Sequence, residues 1–344
     1  MVVHVSIASS DISFGCNADE TILDATERAG YTIPYSCRKG VCSSCEGRLI
    51  SGEVSVRGQG GRRGPADGVL FCQARPHTDV EIAPAWIRDI APIARKVFKA
   101  KVWQISRPIP DVAVIRLRLP IGQRAIFAAG QYLRALMPGG DSRNYSMANA
   151  PHRNDEIELH IRQVPGGIFS QRILPNLVKG SSLEVELPYG EFRLSENDAV
   201  PAILLATGTG FAPIKSMIEH NLRSASKRRL HLYWGANVER DLYMQDLPRS
   251  WAEKHDWFTF TPVVSMPSRE WTGRAGFVHS AVQQDYPDMS ELEVYACGAP
   301  LMIEAARRDF CASSKLRQSA FFSDAFVSSG DPVPEAAALA AVEA

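Results

Sequence analysis

The stretch YSCRKGVCSSCEG, residues 35–47, contains three of the chain's 7 cysteines, and a fourth follows at Cys72. The three are Cys37, Cys42 and Cys45, so the spacing is C-x4-C-x2-C, then a long gap, then one more cysteine. Structural zinc sites usually need two C-x2-C-like pairs, and only one such pair occurs here. The pattern therefore favours a metal centre other than zinc, with zinc as the alternative.

A C-x4-C-x2-C…C spacing is that of plant-type [2Fe–2S] ferredoxins. Three thiolates from one tight loop must surround a small cluster, so Gly40 is expected to provide backbone freedom there. The segment TILDATERAGYTIPYSCRKGVCSSCEGRLISGEV resembles plant-type ferredoxin domains over nearly all of residues 1–85. The resemblance implies a small β-grasp sheet packed on a helix, with four cluster ligands, Cys37, Cys42, Cys45 and Cys72.

Local patterns in this segment agree with that fold. TILDATERAG is an amphipathic helix pattern that begins near Thr21 and stops at Gly30. The Gly- and Arg-rich stretch 58–68 is expected to be a flexible loop. Arg38 and Lys39 are expected to be exposed beside the cysteine loop, either as a docking site for an acidic partner or simply solvated.

Length and charge narrow the function classes. The chain has 344 residues, enough for two or three domains, and its 38 basic and 38 acidic residues balance. A nucleic-acid-binding protein would be expected to show a basic excess. The N-terminus lacks a signal-peptide pattern, and the longest apolar run, 199–206, is too short to span a bilayer. We therefore expect a cytoplasmic protein that binds neither nucleic acid nor membrane, whose clustered cysteines hold metal rather than form disulfides.

After a linker at 86–98, alternating short strands predict an antiparallel barrel or sandwich. In RNYS (143–146), Arg143 and Tyr145 are two residues apart on a strand and share one face. One can bind a phosphate and the other can stack on a flat ring. In PGGIFS (165–170), glycines and a serine precede a helix-like stretch, an arrangement typical of an anion site.

The segment contains four motifs in this order: AGQYL, then R-x-Y-S followed by MAN, then LHIR, then G-x-x-S. The same order is found in the flavin domains of the ferredoxin–NADP reductase superfamily, which this segment resembles. The resemblance implies FAD. Arg143 would bind its phosphates, and Tyr145 would pack on the isoalloxazine. Ser146 would lie near the reactive ring nitrogen, and Gly167 and Ser170 would hold the pyrophosphate.

From residue 197 the pattern becomes α/β with a mostly parallel sheet. GTGFAP (208–213) lacks the third glycine of the dinucleotide fingerprint, and no acidic residue closes the second strand. A second glycine turn, YACGAP (295–300), suggests a ligand crevice where strand order reverses. NADH and NADPH both fit, because an arginine can hold a 2′-phosphate and four lie near the second strand: Arg223, Arg228, Arg229 and Arg240.

Both turns resemble the NAD-binding half of the same superfamily, where T-G-T-G and C-G-x-P recur. The resemblance places a pyrophosphate cradle at Thr207, Gly208, Thr209 and Gly210, with Pro213 in the third-glycine position. Cys297 and Gly298 would lie beside the nicotinamide, and Phe326 matches a terminal aromatic over the flavin. Ser146, Cys297 and Phe326 are thus candidate catalytic residues. Plain packing is the alternative for Cys297 and for Phe326.

The whole chain order resembles the reductase components of bacterial multicomponent oxygenases, above all those that serve Rieske aromatic-ring dioxygenases, terephthalate dioxygenase reductases among them. By that resemblance, the expected partner is a terminal oxygenase of the Rieske non-haem iron type, and the expected carriers are NADH or NADPH, FAD and a [2Fe–2S] cluster. Reductases for CDP-linked deoxysugar formation are equally similar in GTGFAPIKSM, GFVH and FFSDAFV. A non-catalytic redox sensor is the third hypothesis.

The expected fold is multidomain α+β, divided into a β-grasp ferredoxin domain (1–85), the linker (86–98), an FAD barrel (99–196), an α/β NAD(P) domain (197–327) and a disordered tail (328–344).

Overall fold

The computed structural model describes residues 2–40, 43–89, 95–225 and 227–327. The predicted disordered tail, 328–344, lies outside the described residues. The chain divides into one unit up to Ala94 and a second from Arg95 to Gly330. Among the helices of these ranges, none is both long and apolar enough to cross a bilayer.

The first unit is a five-stranded mixed sheet packed on one helix, together with two smaller sheets. Its elements are β1 Val2–Ile7, β2 Ser13–Asn17, α1 Ile22–Arg28, β3 Tyr31–Thr32, β4 Glu46–Ser51, β5 Glu53–Val56, β6 Gly60–Arg63, β7 Ala66–Leu70, β8 Ala74–Pro76, β9 Val80–Pro84 and β10 Arg88–Asp89. The main sheet has the order β2-β1-β9-β4-β7, with β1 parallel to β9. The expected β-grasp fold is confirmed.

Helix α1 begins and ends where its sequence predicts. The Thr21 hydroxyl accepts the Asp24 backbone N–H at 3.2 Å, and the Asp24 carboxylate accepts the Thr21 backbone N–H, which makes a capping box. Gly30 follows the helix with φ +86°, a conformation that favours glycine. Ile22 and Leu23 face the core, and the Leu23 N–H bonds the Phe71 carbonyl at 3.1 Å.

The expectation of a flexible loop at 58–68 is wrong. Residues Gly60–Arg63 form β6, which pairs antiparallel with β5 from Glu53↔Arg63 to Val56↔Gly60. Glycines with positive φ at 58 and 60 make the tight turn that this hairpin needs, so the composition indicated a turn rather than disorder.

The first half of the second unit is an antiparallel six-stranded barrel with the strand order β14-β13-β16-β11-β12-β15. Its strands are β11 Lys96–Ile109, β12 Val112–Arg118, β13 Tyr132–Leu136, β14 Ser142–Ser146, β15 Glu156–Arg162 and β16 Ser182–Tyr189. A bridge between Met147 and Leu159 joins the two edge strands. Strands β10 and β11 both enter the expected linker, 86–98, of which 90–94 lie outside the described residues.

The second half of this unit is a six-stranded, fully parallel sheet with helices between its strands. Its elements are β17 Ala202–Thr207, α2 Phe211–Asn221, β18 Leu230–Ala236, α3 Asp246–Lys254, β19 Phe258–Val264, β20 Arg274–Ala275, α4 Val278–Asp285, β21 Glu293–Gly298, α5 Pro300–Ser313 and β22 Phe321–Ala325. The order β20-β19-β18-β17-β21-β22 reverses at β17. A parallel sheet of this kind offers a ligand crevice at that reversal.

Candidate functional site

Three of the four predicted cluster cysteines are described, and all three are buried, at 3–6% exposure: Cys37, Cys45 and Cys72. The fourth, Cys42, lies outside the described residues. The Lys39 backbone N–H donates to the Cys37 Sγ at 3.2 Å, and the Gln73 amide donates to the Cys72 Sγ at 3.4 Å. Donors aimed at sulfur are what a cluster held by thiolates requires.

The cysteine loop has the backbone freedom that a small cluster demands. Arg38, Gly40 and Ser43 all have positive φ, at 54°, 77° and 53°. A Cβ at Gly40 would lie 2.9 Å from the Cγ of Gln73, so the loop packs closely on the residue after Cys72. The Gln73 amide also donates to the Arg38 carbonyl at 2.9 Å and thereby ties the two segments together.

No three metal-ligating side chains in the described part of the chain converge as a single ion would require. A [2Fe–2S] centre shares four thiolates between two irons, and the predicted set includes Cys42. Cys16, outside the pattern, is fully buried in the core. Burial raises the pKa of the Cys16 thiol from 9.0 to about 11, so this residue packs as an apolar group.

The expectation that Arg38 is an exposed residue of the cysteine loop is wrong. Its guanidinium pairs with Asp24 at 2.7 Å and with Glu27, and it covers the Tyr35 ring at 4.6 Å from the centroid. Its side chain is only 20% exposed. Arg38 therefore anchors the cysteine loop to α1, which local sequence could not indicate because both carboxylates lie more than ten positions away. Lys39 is half-buried.

In the barrel, the R-x-Y-S residues lie on β14, opposite β13. Arg143 pairs with Asp141 at 2.6 Å and is 15% exposed, while the buried Ser146 ends the strand. The Tyr145 ring lies 5.0 Å from the Phe169 ring. Burial raises the pKa of Tyr145, so its hydroxyl stays protonated and can donate a hydrogen bond.

The turn that carries Gly167 and Ser170 is stabilised by contacts among its own residues. A Cβ at Gly167 would lie 2.5 Å from the Ser170 Oγ and 3.0 Å from the Val164 carbonyl oxygen. The Ser170 hydroxyl accepts the Val164 N–H at 3.1 Å. The expected helix is only a π-turn, Phe169–Ile173, followed by a 3₁₀ turn, because Pro175 has no N–H to continue it.

The two glycine turns of the parallel sheet pack directly against each other. A Cβ at Gly210 would lie 2.3 Å from the Cys297 carbonyl oxygen, and a Cβ at Gly298 would lie 2.2 Å from the Thr207 Oγ1. The Ala299 N–H donates to that same Thr207 oxygen at 2.9 Å. The chain at Gly208–Gly210, which includes Thr209, forms a 3₁₀ turn that leads into α2. A cradle that has glycines at its closest points and is built largely from backbone suits a pyrophosphate.

The remaining predicted residues border this cradle. Pro213 is the third residue of α2, where a missing N–H costs no helical hydrogen bond. Cys297 is 0% exposed, and burial raises the pKa of its thiol well above the ordinary value. Phe326 follows β22 and donates its N–H to the Gly298 carbonyl at 2.8 Å, with its side chain packed on the apolar core.

Arg162 was not predicted from the sequence. It ends β15 of the barrel and pairs with Asp111 at 2.5 Å. A Cβ at Gly208 would lie 3.8 Å from the Arg162 Nε, so the barrel contributes a cation to the nucleotide turn. The sequence did contain a signal for Arg162, namely a basic residue at the end of the strand that precedes PGGIFS (165–170).

Glu239 is a second residue that the sequence prediction missed, because it follows β18 by a few positions rather than closing it. Its carboxylate accepts the Ser268 N–H at 2.6 Å. Hydrogen bonds from its own backbone and from Ser268 lower the pKa of Glu239, so it is anionic at neutral pH. It lines an open pocket beyond the carboxyl ends of β18 and β19, with Val238, Arg240, Ser268, Glu270 and Trp271.

Arg228, one of the four candidate 2′-phosphate ligands, serves a structural role. It is 1% exposed and pairs with Glu293 at 2.6 Å. Its Nε also donates to the Val200 carbonyl at 2.6 Å. A guanidinium committed to buried acceptors cannot turn toward a nucleotide. Arg240 does line the pocket, with its side chain 82% exposed.

Three family models match the chain in succession. They are a 2Fe-2S iron-sulfur cluster binding domain at 5–77, an oxidoreductase FAD-binding domain at 99–194 and an oxidoreductase NAD-binding domain at 204–308. The expected order of ferredoxin, flavin and nucleotide segments is thereby confirmed, as are the three cofactors.

Similar proteins cover almost the whole chain. The CDP-6-deoxy-L-threo-D-glycero-4-hexulose-3-dehydrase reductase of Yersinia pseudotuberculosis is 40% identical and covers 96% of this chain and 100% of its own. Terephthalate 1,2-dioxygenase reductase component 1 of Comamonas sp. is 38% identical and covers 95% of this chain and 98% of its own. The crystal structure of the Amycolatopsis cytochrome P450 reductase GcoB matches with a TM-score of 0.75 at 30% identity, covering 94% of this chain and 98% of that one.

Proposed function

As a member of the family of iron–sulfur flavoprotein reductases, this chain is an oxidoreductase that uses NAD(P)H, FAD and a [2Fe–2S] cluster, and we propose that it supplies electrons to a terminal oxygenase. FAD, when bound, would supply the chemistry that converts a two-electron donor into single electrons, which a one-electron cluster requires. A location in the cytoplasm is part of this proposal.

The observation that carries the proposal is the approach of Arg162 to the nucleotide turn. Arg162 belongs to the barrel, and Gly208 begins the turn between β17 and α2. A Cβ at Gly208 would lie 3.8 Å from that guanidinium, which supports a nucleotide site to which the flavin half would contribute directly. Arg162 would attract the pyrophosphate and bring the nicotinamide toward the barrel.

We assign the chain's own residues to three tasks. Cys37, Cys42, Cys45 and Cys72 would hold the cluster, in a ferredoxin segment at 1–85. In the barrel segment, 99–196, the flavin would be held by Arg143, Tyr145, Ser146, Gly167 and Ser170. In the segment 197–327, the nucleotide would be held by Thr207, Gly208, Thr209, Gly210, Pro213, Cys297 and Gly298, with Phe326 beside the flavin. Ser146, Cys297 and Phe326 would border the reacting rings.

We further propose that NADH is the preferred nucleotide. Glu239 presents an anionic carboxylate in the pocket beyond β18, where the ribose of a dinucleotide binds in this type of sheet. A carboxylate accepts hydrogen bonds from a ribose 2′-hydroxyl but repels a 2′-phosphate. Arg228, which could have held a 2′-phosphate, is sequestered by Glu293.

The oxygenase partner is favoured because several similar proteins are reductase components of oxygenase systems, for terephthalate and phenol among others. Within that class we propose a Rieske non-haem iron oxygenase. The second candidate is a CDP-deoxysugar dehydrase, favoured by 40% identity to the reductase that serves one. A reductase that serves either partner needs the same three cofactors. The two proposals therefore differ only in the protein that accepts the electrons.

The experiment that tests the electron path is an anaerobic titration with NADH and then NADPH, followed by visible absorbance and low-temperature EPR. We expect NADH to bleach the flavin bands and a reduced [2Fe–2S] signal then to grow. If neither nucleotide reduces the flavin, the reductase assignment fails and the redox-sensor hypothesis takes its place. Coupled turnover with each purified candidate partner then tests the acceptor, since only the correct one links NADH use to product.

A further inference from the structure

A buried cation, Lys215, joins the two halves of the second unit. It is the fifth residue of α2, and its side chain is 3% exposed. Its Nζ donates to the Ala148 carbonyl at 3.1 Å, to the Glu158 carboxylate at 3.0 Å and to the Glu219 carboxylate at 2.7 Å. An ammonium has three donors, so these three acceptors define its position fully.

Glu158 lies at the centre of this arrangement, on β15, and is 1% exposed. It also accepts the Arg116 Nε at 2.9 Å and lies 3.1 Å from the His160 Nε2. Burial alone would raise the pKa of Glu158, but the His160 hydrogen bond and the Lys215 charge lower it. Burial lowers the pKa of His160, so its ring is neutral. Two carboxylates, Glu158 and Glu219, thus balance two cations, Lys215 and Arg116.

The next residue of α2 makes a second link. The Ser216 hydroxyl donates to the Asn149 carbonyl at 2.7 Å. The Asn149 side chain in turn donates to the Arg153 and Glu156 carbonyls and accepts the Glu158 N–H at 2.8 Å. Ser216 and Asn149 are both 0% exposed. Helix α2 is therefore attached, through Lys215 and Ser216, to the backbone two and three residues after Ser146, where β14 ends.

We propose that Lys215 is a positioning residue that sets the distance between the nicotinamide site and the flavin site. The inference rests on the proposed function, because α2 starts at the nucleotide turn and β14 carries the flavin motif. A displacement of 1 Å between reacting groups can lower a rate about 100-fold. A well-packed apolar pair of similar volume is often as stabilising as a buried ion pair, so stability alone does not explain a buried lysine here.

The test is stopped-flow measurement of flavin reduction by NADH in full-length holoprotein. Lys215→Met removes the cation, and Lys215→Met combined with Glu158→Gln removes it while restoring charge balance. Lys215→Arg keeps the charge. Lys227→Met is the matched control, because Lys227 follows the same helix and binds only carbonyls near its C-terminal end, those of Asn221, Leu222 and Ser224.

We expect the limiting rate at saturating NADH to fall at least tenfold in Lys215→Met and in the double variant, with the NADH dissociation constant changed less than threefold. Lys215→Arg should recover part of the rate, and Lys227→Met should match the wild type. A second readout, independent of activity, is amide hydrogen exchange, which should accelerate across residues 147–150 in the two variants that have no cation at position 215.

The inference is overturned if the double variant recovers the wild-type limiting rate, because Lys215 would then be needed for charge balance only. It is equally overturned if exchange across 147–150 is the same in all variants. A wild-type flavin that NADH does not reduce would instead overturn the proposed function itself, so the two failures are distinguishable.

Discussion

Gly210 and Cys297 are in such close contact that a Cβ at position 210 would lie 2.3 Å from the Cys297 carbonyl oxygen. We expect Gly210→Ala to push the two turns apart, with about 1–3 kcal/mol lost from the free energy of unfolding. Nucleotide affinity should fall with it. Thermal unfolding and NADH titration of the oxidised protein measure both effects.

The control for this substitution is Gly61→Ala, since a Cβ at Gly61 meets nothing within 4 Å. It should leave unfolding and NADH affinity at wild-type values. Wild-type behaviour of Gly210→Ala in both assays would show that the contact between the turns is not required.

Cys72 is the proposed cluster ligand most distant in sequence from the other three, and we expect Cys72→Ser to abolish the [2Fe–2S] EPR signal. NADH-dependent ferricyanide reduction should persist, because the proposed flavin and nucleotide residues all lie in the second unit. Cys311→Ser, at a partly exposed position on α5, is the control and should keep the EPR signal. An intact signal in Cys72→Ser would remove Cys72 from the ligand set.

Glu239 should determine the choice between NADH and NADPH. We expect Glu239→Gln to raise kcat/KM for NADPH about tenfold, because a like-charge contact with the 2′-phosphate is removed. Glu270→Gln neutralises a second carboxylate in the same pocket and is the matched control. If both variants change the NADPH constant equally, the pocket acts through its general charge and Glu239 has no specific role.

We expect His231 to make the parallel-sheet half of the second unit sensitive to mild acid. Burial lowers the pKa of His231 from 6.5 to about 4, and its ring nitrogens are bonded to Tyr286 and Thr261 at 2.9 Å. The unfolded chain therefore binds a proton more readily, so the stabilisation is complete above pH 6.5 and is lost as pH falls toward 4. The loss should be on the order of 2 kcal/mol, discounted for partial exposure.

Denaturant unfolding of the wild type and His231→Gln at pH 7.5 and pH 5 measures this loss. The difference between the two pH values should shrink in His231→Gln. His255→Gln, a histidine substitution elsewhere in the same half, is the control. An unchanged difference in His231→Gln would mean that other groups cause the acid sensitivity.

Features that depend on residues close together in the chain were predictable from the sequence. The capping pair Thr21 and Asp24 lies within four positions, and Gly30 ends α1 where its composition indicates. The cysteine spacing and the glycine turns are equally local. The barrel or sandwich and the α/β segment followed from such patterns, whereas the β-grasp fold and the order of the three segments were implied by the family resemblance.

Interactions between distant residues were not predictable in this way. Lys215 and Glu158 are 57 positions apart, and their contact depends on how α2 packs against the barrel. Arg38 looked exposed because Asp24 and Glu27 reach it only after α1 has folded. The side-chain roles assigned to Cys297 and Phe326 likewise stay predictions, since one thiol is fully buried and one ring packs on the core.

The mutual packing of the glycine turns also bears on protein engineering. Thr207–Gly210 and Cys297–Ala299 form a single unit in which neither Gly210 nor Gly298 accepts a larger residue without moving the opposite turn. Glu239, by contrast, lies in an open pocket and has freedom to vary. To change the preference between NADH and NADPH, one would therefore leave the two turns unchanged and substitute residues of the pocket around Glu239. Nucleotide selectivity can be altered there without disturbing the packing of the turns.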